Sequence, residues 1–291
     1  MKTTENIKSA SGLPSADAWA ELQTHVENGE PLQANAYRLA FADPEFLLRR
    51  ETRGIRFQLE LLKPELDLRQ AGVANTVVVY GSARFLPPDV AAERLAAARA
   101  SGDAQALRQA ERAARNARYY QEAREFGRIV ASHGRDLPPQ ERFYVCTGGG
   151  PGIMEAANRG AHDAGAPSVG LNIALPHEQR ANPYVTPELC FKFHYFALRK
   201  MHFTIRAKAL VAFPGGFGTL DELFEVLTLV QTRKVHPVPI VLYGRDYWQR
   251  LIDWDMLVEE GAVQPEDLQL FHMVDEPAQA WAVVRDFYRR P

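Results

Sequence analysis

Cysteine is scarce in this sequence, and its scarcity excludes whole classes of protein. Cys146 and Cys190 are the only two cysteines among 291 residues, too few for a disulfide framework or for a zinc site built on thiolates. We expect both thiols to be reduced, which favours a cytoplasmic protein. The sequence also shows no cluster of metal-ligating side chains, so we expect no bound metal.

Long apolar runs and an excess of one charge are missing as well. No stretch approaches the roughly 20 apolar residues that a membrane-spanning helix needs, and residues 1–19 lack the apolar core of a signal peptide. Thirty-four basic and thirty-six acidic residues leave a formal charge of −2. We therefore expect a soluble protein with neither nucleic acid nor a membrane as its partner.

The chain divides by pattern into a polar N-terminal part and a longer alternating part. Residues 1–74 predict a helical extension without a convincing strand, and residues 75–291 predict the main domain. Within that domain, residues 88–132 are rich in Ala, Arg and Glu and predict an inserted pair of helices. The arginines of this insertion recur at helical spacing, which is typical of a solvated face with acidic neighbours rather than of a nucleic-acid site: Arg108, Arg112, Arg115 and Arg118.

Short apolar strands alternate with helices through the main domain. The β-branched run 76–80 is the first predicted strand, followed by strands at 143–146, 168–173, 189–193, 209–213, 238–243 and 270–274. Helices are predicted at 151–164, 197–208, 220–232 and 247–260, and from residue 277 onward. This alternation predicts an α/β fold with a doubly wound, mainly parallel sheet and helices on both faces. Ligands of such sheets bind at the carboxyl ends of the strands.

Three predicted strands end in loops of small residues. These loops are GSAR at 81–84, TGGGPG at 147–152 and PGGFGT at 214–219. A glycine turn into a helix N-terminus presents free N–H groups and the positive end of the helix dipole to an anion. The third loop lacks the Gly-Lys-Ser/Thr ending of a P-loop, and Ile153 replaces the last glycine of a dinucleotide fingerprint in the second. Tight αβ turns are the structural alternative, but two such loops together favour a phosphate-bearing ligand.

Two carboxylates follow the third loop. Thr219 and Glu222 have the spacing of a capping box, with Thr219 as the N-cap residue and Glu222 at the third helical position. Capping alone could account for Glu222, and Asp221 could simply favour the helix dipole. Arg199 and Lys200 lie upstream, on the helix that leads into this strand.

These residues together resemble the Lonely Guy family, the cytokinin-activating phosphoribohydrolases once labelled "lysine decarboxylase-like". The segment PGGFGTLDE, 214–222, fits the family motif P-G-G-x-G-T-x-x-E, and the pair Arg199-Lys200 precedes it at the expected distance. The segment GGGPGIMEAANRGA, 148–161, is similar to the other glycine motif of longer bacterial members, and Tyr80-Gly81-Ser82 resembles the first loop. The resemblance extends over roughly residues 75–290.

The resemblance implies a Rossmann-like sheet, a homodimer or larger assembly, and hydrolysis of AMP or N6-modified AMP to free base and ribose 5-phosphate without a cofactor. Its catalytic pair corresponds to Arg199 and Glu222. The residues that it implies for substrate or phosphate binding are Ser82, Gly148, Gly149, Gly150, Glu155, Lys200, Gly215, Gly216, Gly218 and Thr219. Lysine decarboxylation would require pyridoxal phosphate on a lysine, and neither glycine motif contains one.

Two other functions remain open from the sequence. The protein could bind a nucleotide without hydrolysing it, because fold alone does not determine function. It could also be a broader nucleosidase that is indifferent to the base. Glu155 stands where compact family members usually have glycine, and Met201-His202 follows the Arg-Lys pair, where compact members place Met-His before it.

Overall fold

The structure, a computed structural model, describes Ala36, residues 38–174 and residues 180–289. The chain divides into two compact units, with the division along the sequence between Glu60 and Leu61. The first 35 residues of the predicted extension lie outside this described part. The first unit contains a short 3₁₀ segment, Ala40–Ala42, helix α1, Pro44–Leu48, and the start of helix α2, Arg53–Gln70. From residue 38 to the first strand the described chain is mainly helical, as predicted for the extension.

The second unit is built on a seven-stranded, wholly parallel sheet. Its strands are β1 Asn75–Tyr80, β2 Phe143–Thr147, β3 Val169–Ile173, β4 Cys190–Phe193, β5 Ala207–Ala212, β6 Ile240–Tyr243 and β7 Phe271–Val274. Their spatial order is β4-β3-β2-β1-β5-β6-β7. The chain builds outward from β1 to β4, then returns to place β5 on the other side of β1. This reversal is the topological switch point, where open α/β sheets bind their ligands.

Helices cover both faces of the sheet, so the predicted doubly wound fold is confirmed. Their bounds are α3 Pro88–Ser101, α4 Ala104–His133, α5 Ile153–Asp163, α6 Phe196–Ile205, α7 Phe217–Gln231, α8 Arg245–Leu251, α9 Trp254–Glu259 and α10 Pro277–Arg289. In β1, Val77 and Val79 pack with α4, α5 and α10, whereas Val78 and Tyr80 pack with α6, α7 and α8. The alternation follows from the two-residue period of a strand.

The second helix of the predicted insertion is part of the layered core. Tyr120 and Phe126 of α4 are fully buried between the sheet and its neighbouring helices. A Cβ atom on Gly127 would collide with the carbonyl oxygen of Ala157, and one on Gly160 would collide with that of Arg124. These two glycines therefore let the backbones of α4 and α5 approach closely, which anchors α4 beside the sheet.

Several element bounds differ from the sequence prediction by a few residues, and two differences affect the organisation of the chain. The predicted helix 247–260 is two helices, because the chain extends at Ile252 and Asp253 then caps α9 through its carboxylate, 3.0 Å from the N–H of Met256. Leu68 and Val73 are buried in the core of the second unit, although both precede the predicted boundary at residue 74. Within the described residues, no helix combines the length and apolar character required to cross a membrane.

Candidate active site

The three predicted loops meet at the carboxyl edge of the sheet, because they follow the adjacent strands β1, β2 and β5. The N–H of Ser82 donates to the carbonyl oxygen of Pro214 at 3.0 Å, which joins the first loop to the third. The carbonyl oxygen of Ser82 accepts from the N–H of Ile153 at 3.1 Å, which joins the first loop to the second. The backbone of Ser82 thus connects the first loop to both of the other loops.

The glycines of these loops serve two different purposes. Gly152 has a φ of +72° and lies against the backbone of the first loop, and a Cβ atom on Gly215 would collide with the side chain of Thr219. Gly152 and Gly215 are therefore needed where the backbone packs too closely for a side chain. By contrast, a Cβ atom on Gly216 or Gly218 would meet no atom within 4 Å. Gly216 and Gly218 therefore offer their bare backbone to whatever enters the site.

A cleft of about 1090 Å³ opens above the three loops. This volume slightly exceeds the range of about 300–1,000 Å³ that is usual for small-molecule sites. Eight of the predicted site residues line it: Ser82, Gly148, Arg199, Gly215, Gly216, Gly218, Thr219 and Glu222. The sequence prediction thus selected residues that tertiary structure brings to one cavity.

Arg199 of α6 and Glu222 of α7 face each other in the cleft. Nη1 of Arg199 lies 3.8 Å from Oε1 of Glu222, and the side chains are only 13% and 8% exposed. Nε of Arg199 donates to the carbonyl oxygen of Leu171 at 2.7 Å, and its guanidinium lies over the ring of Phe203. The hydroxyl of Tyr80 lies 3.5 Å from Oε2 of Glu222, as a hydrogen-bond donor. Both charged groups are therefore held in fixed positions.

Burial changes the protonation of this pair. It raises the pKa of the Glu222 carboxyl to about 7, against the opposing effect of the positive charges on Lys200 and Arg199. Burial also lowers the pKa of the Arg199 guanidinium, against the effect of the Glu222 charge. A carboxyl group that titrates near neutrality inside a cleft is suited to acid–base chemistry.

The predicted capping box is wrong. Helix α7 begins at Phe217 with Gly216 as its N-cap residue, so Thr219 is the third helical residue and Glu222 the sixth. The chain enters the helix early because the carbonyl oxygen of Gly216 already accepts from the N–H of Leu220 at 3.0 Å. None of the described side chains caps this end, which leaves the N–H groups of Phe217 and Gly218 directed at the cleft end of the helix. Glu222 is therefore not explained by capping.

Four predicted site residues lie outside the cleft lining. Lys200 binds Asp221 at 2.8 Å and Glu225 at 2.9 Å, which ties α6 to α7 and gives Asp221 a structural partner. The other three are Gly149, Gly150 and Glu155. The carbonyl oxygens of Gly149 and Gly150 accept from the backbone and side-chain nitrogens of Asn182, and Glu155 accepts from the hydroxyl of Tyr120. These contacts hold the second loop and the start of α5 in place, and none of the three residues lines the cleft.

Several cleft residues were not found from the sequence. Arg115 and Arg118 of α4 are exposed, as predicted for a solvated face, but they also line the cleft, whereas the exposed Arg108 and Arg112 do not. Helical spacing shows which arginines share a face but not which neighbour that face meets. The Tyr247 hydroxyl also lines the cleft and donates to the carbonyl oxygen of Gly215 at 2.5 Å, although no sequence motif marks it.

Two remaining features concern metals and thiols. Among the described residues, no group of three or more His, Cys, Asp or Glu side chains is placed to hold a metal ion. Cys146 is buried in β2 and Cys190 half-buried in β4, and both are free thiols. Neither belongs to the cleft lining.

Comparison with protein families gives a match over residues 154–284 to the family described as "Possible lysine decarboxylase". A probable cytokinin riboside 5′-monophosphate phosphoribohydrolase of Oryza sativa subsp. japonica is 33% identical over 155 residues, 52% of this chain and 58% of that protein. A cytokinin riboside 5′-monophosphate phosphoribohydrolase of Arabidopsis thaliana is 31% identical over 136 residues, 45% of this chain and 61% of that protein. The chain thus spans about three fifths of the length of these two relatives.

Solved structures with similar coordinates include a structural-genomics target, TM1055, and the molybdenum-cofactor carrier protein of Chlamydomonas reinhardtii. TM1055 is 21% identical with a TM-score of 0.44, covering 73% of this chain and 99% of its own. The carrier protein is 19% identical with a TM-score of 0.44, covering 74% of this chain and 97% of its own. The family match and the curated relatives confirm the resemblance predicted from the glycine motifs: this chain is similar to the Lonely Guy phosphoribohydrolases.

Proposed function

We propose that the cleft hydrolyses the N-glycosidic bond of a nucleoside 5′-monophosphate, AMP or N6-modified AMP, to free base and ribose 5-phosphate. The observation that carries the proposal is the buried Arg199–Glu222 pair beside the uncapped start of α7. The curated relatives are named for this reaction on cytokinin riboside 5′-monophosphate. Such a reaction needs an anion site, a group that stabilises the sugar cation, and a group that stabilises the departing base.

The start of α7 supplies the anion site. The N–H groups of Phe217 and Gly218 and the positive end of the helix dipole would bind the 5′-phosphate. Gly216 and Gly218 have open space where a side chain would stand, so the phosphate can reach the backbone. The buried hydroxyl-bearing Thr219 lines the same part of the cleft.

Glu222 would act on the sugar. Cleavage of an N-glycosidic bond passes through an oxocarbenium-like sugar, as in glycoside hydrolysis, and a carboxylate near the anomeric carbon stabilises that charge. The same carboxylate would accept a proton from the attacking water. With a pKa of about 7, Glu222 is basic enough for this role and is ionised in a large fraction of molecules near neutral pH.

Arg199 would stabilise the negative charge that develops on the departing base. Its guanidinium is fixed by the carbonyl oxygen of Leu171 and by the ring of Phe203, and so needs little reorganisation during the reaction. The attraction between Arg199 and Glu222 also keeps the carboxylate directed into the cleft. In this proposal the pair would place a positive charge near the departing base and a negative charge near the sugar.

Replacement of Glu222 tests this assignment. We expect Glu222→Gln to lose the release of adenine from AMP by about 10²-fold or more, because a positioned base contributes about 10²- to 10⁴-fold. Glu225→Gln is the matched control, since Glu225 lies on the same helix but contacts Lys200 outside the cleft lining. Release of adenine by Glu222→Gln at the wild-type rate would show that the assigned role is wrong.

Substrate choice and the binding-only alternative are separated by one product assay. The wild-type protein is incubated with AMP, GMP, CMP, UMP and prenylated AMP, and free base and ribose 5-phosphate are quantified. Release from AMP or prenylated AMP alone supports the proposed specificity, whereas release from all five indicates a broad nucleosidase. Tight binding of AMP without products would identify a nucleotide-binding protein that does not hydrolyse its ligand.

We also propose that the protein is a homodimer formed through α6 and α7. Large apolar side chains are exposed along these two helices: Phe196, Met201, Ile205, Phe217 and Phe224. Phe217 is 92% exposed, and a second copy of the chain would remove this apolar surface from water. The double variant Phe217→Glu/Phe224→Glu should be monomeric by light scattering, and an unchanged mass would exclude this face as the interface.

The location and the domain arrangement remain proposals as well. We propose a cytoplasmic protein, which its two free thiols support. We propose further that residues 1–74 are an extension to the catalytic domain, whose first strand begins at Asn75, and that Leu68 and Val73 attach the end of this extension to the domain core. Fractionation of the native host cell and deletion of residues 1–60, ahead of the unit boundary, test these two statements.

A further inference from the structure

Three arginines of the cleft lining form no ion pair with any carboxylate of the described residues. Arg84 comes from the first loop, and Arg115 and Arg118 come from α4. Among the described residues, no carboxylate lies within ion-pair distance of Arg84 or Arg115. The guanidinium of Arg118 donates to the hydroxyl of Tyr119 at 2.9 Å and lies over its ring. The negative charges of Glu122 and Asp246 act on Arg118, but neither carboxylate forms an ion pair with it.

The acidic side chains of the cleft are already paired with other cations. These ion pairs are Glu222 with Arg199 at 3.8 Å, Asp221 with Lys200 at 2.8 Å and Asp246 with Arg250 at 3.5 Å. The three remaining arginines therefore give this part of the cleft an excess of positive charge. Such an excess in a concave site attracts an anion.

The arginines lie on elements that contact the loop leading into α7. Arg84 follows Ser82 by two residues, and the N–H of Ser82 is bonded to Pro214, at the start of the third loop. The ring of Phe85 stacks on that of Tyr119 at 5.8 Å, which holds the first loop against α4. The first loop, which carries Arg84, is therefore joined both to the loop that leads into α7 and to α4, which carries Arg115 and Arg118.

We propose that Arg84, Arg115 and Arg118 form a second anion subsite, adjacent to the proposed phosphate site, that accepts the β-phosphate of a nucleoside 5′-diphosphate. This inference rests on the proposed function, because it takes the start of α7 as the site of the α-phosphate. Guanidinium groups bind phosphate oxygens through paired N–H donors, which suits a terminal phosphate. The large volume of the cleft has room for this extra group.

The subsite is tested by equilibrium titration of AMP, ADP and inorganic pyrophosphate in magnesium-free buffer. ADP should bind the wild-type protein about ten-fold more tightly than AMP does, since two charge-assisted contacts are added. In the double variant Arg115→Gln/Arg118→Gln, the ratio of the two affinities should fall to about one. Pyrophosphate, which contains no glycosidic bond, should lose affinity in the same variant.

The matched control is Arg108→Gln/Arg112→Gln, which removes the same charge from the same helix outside the cleft lining. This control should keep the wild-type preference for ADP. Equal binding of AMP and ADP by the wild type, or an unchanged ratio in the cleft variant, would overturn the subsite. Adenine release from AMP is measured on the same samples, so that failure of the proposed hydrolysis is recognised separately from failure of the subsite.

Discussion

Replacement of Glu222 should change the pH dependence of stability as well as the rate. Burial raises the pKa of this carboxyl from 4.5 to about 7, so the native protein holds a proton over a range in which the unfolded chain has lost it. Between these two values, stability falls as pH rises. Glu222→Gln cannot ionise and should not show this loss.

The size of the effect follows from the two pKa values. A proton held by the native state alone costs about 1.4 kcal/mol of stability for each pH unit, so the wild type should lose about 3 kcal/mol relative to Glu222→Gln between pH 4.5 and pH 7. At pH 4.5 or below the carboxyl is protonated in the native state, and glutamine is nearly its isostere. Above pH 7 the difference should be constant.

The measurement is urea unfolding of both proteins at half-unit steps from pH 4.5 to 8. Every other titrating group is common to the two chains, so its contribution cancels in the difference between their free energies of unfolding. The point at pH 4.5 serves as the internal reference, because there the two proteins should agree within about 1 kcal/mol. Parallel curves over the whole range would refute the argument that Glu222 is buried at a cost to stability.

Three further results are expected. Lys200→Gln removes a positive charge that favours the Glu222 carboxylate, so the acid limb of the pH profile of kcat/KM for AMP should move to higher pH; an unmoved limb would contradict this coupling. Arg199→Lys should lower kcat for AMP by about 10²-fold or more with little change in Tm, because lysine lacks the planar fork; a loss that comes only from unfolding would indicate a structural role. Gly215→Ala should lower the free energy of unfolding by about 1–3 kcal/mol, because the added methyl group collides with Thr219. Gly218→Ala should fold normally and bind AMP more weakly, since its methyl group meets only open space. Equal effects on stability would contradict the distinction between packed and open glycines.

The local pattern of the sequence was sufficient to predict the parallel sheet and the helices that cover it. Alternation of apolar strands with helices predicts a parallel sheet, because parallel strands need crossover connections and both faces of the sheet must be covered. The same reasoning placed three glycine loops at carboxyl ends of strands. Element ends were less certain, as at Asp253, because a single capping side chain can divide one helical pattern into two.

The local sequence pattern was misleading where the same short motif fits either a structural role or a role in the cleft. Thr219 and Glu222 have capping-box spacing, but the bond from Leu220 to the carbonyl oxygen of Gly216 starts the helix earlier and frees Glu222 from that use. Lys200 follows Arg199 in the sequence, yet the turn of α6 directs the two side chains differently. Lys200 binds Asp221 and Arg199 lines the cleft.

The sequence by itself determined the fold class and the three loops, because each depends on residues that are close together along the chain. It pointed to Arg199 and Glu222 only through the resemblance of its motifs to those of a known family. Only the tertiary structure decided that Glu222 is buried against Arg199, and that Arg115 and Arg118 join the same cleft from a helix that precedes β2. Helical periodicity defines the faces of α4, but the sheet and the neighbouring helices decide what each face meets. Burial, charge compensation and the resulting pKa values depend on those neighbours, so they could not be obtained from the order of residues alone.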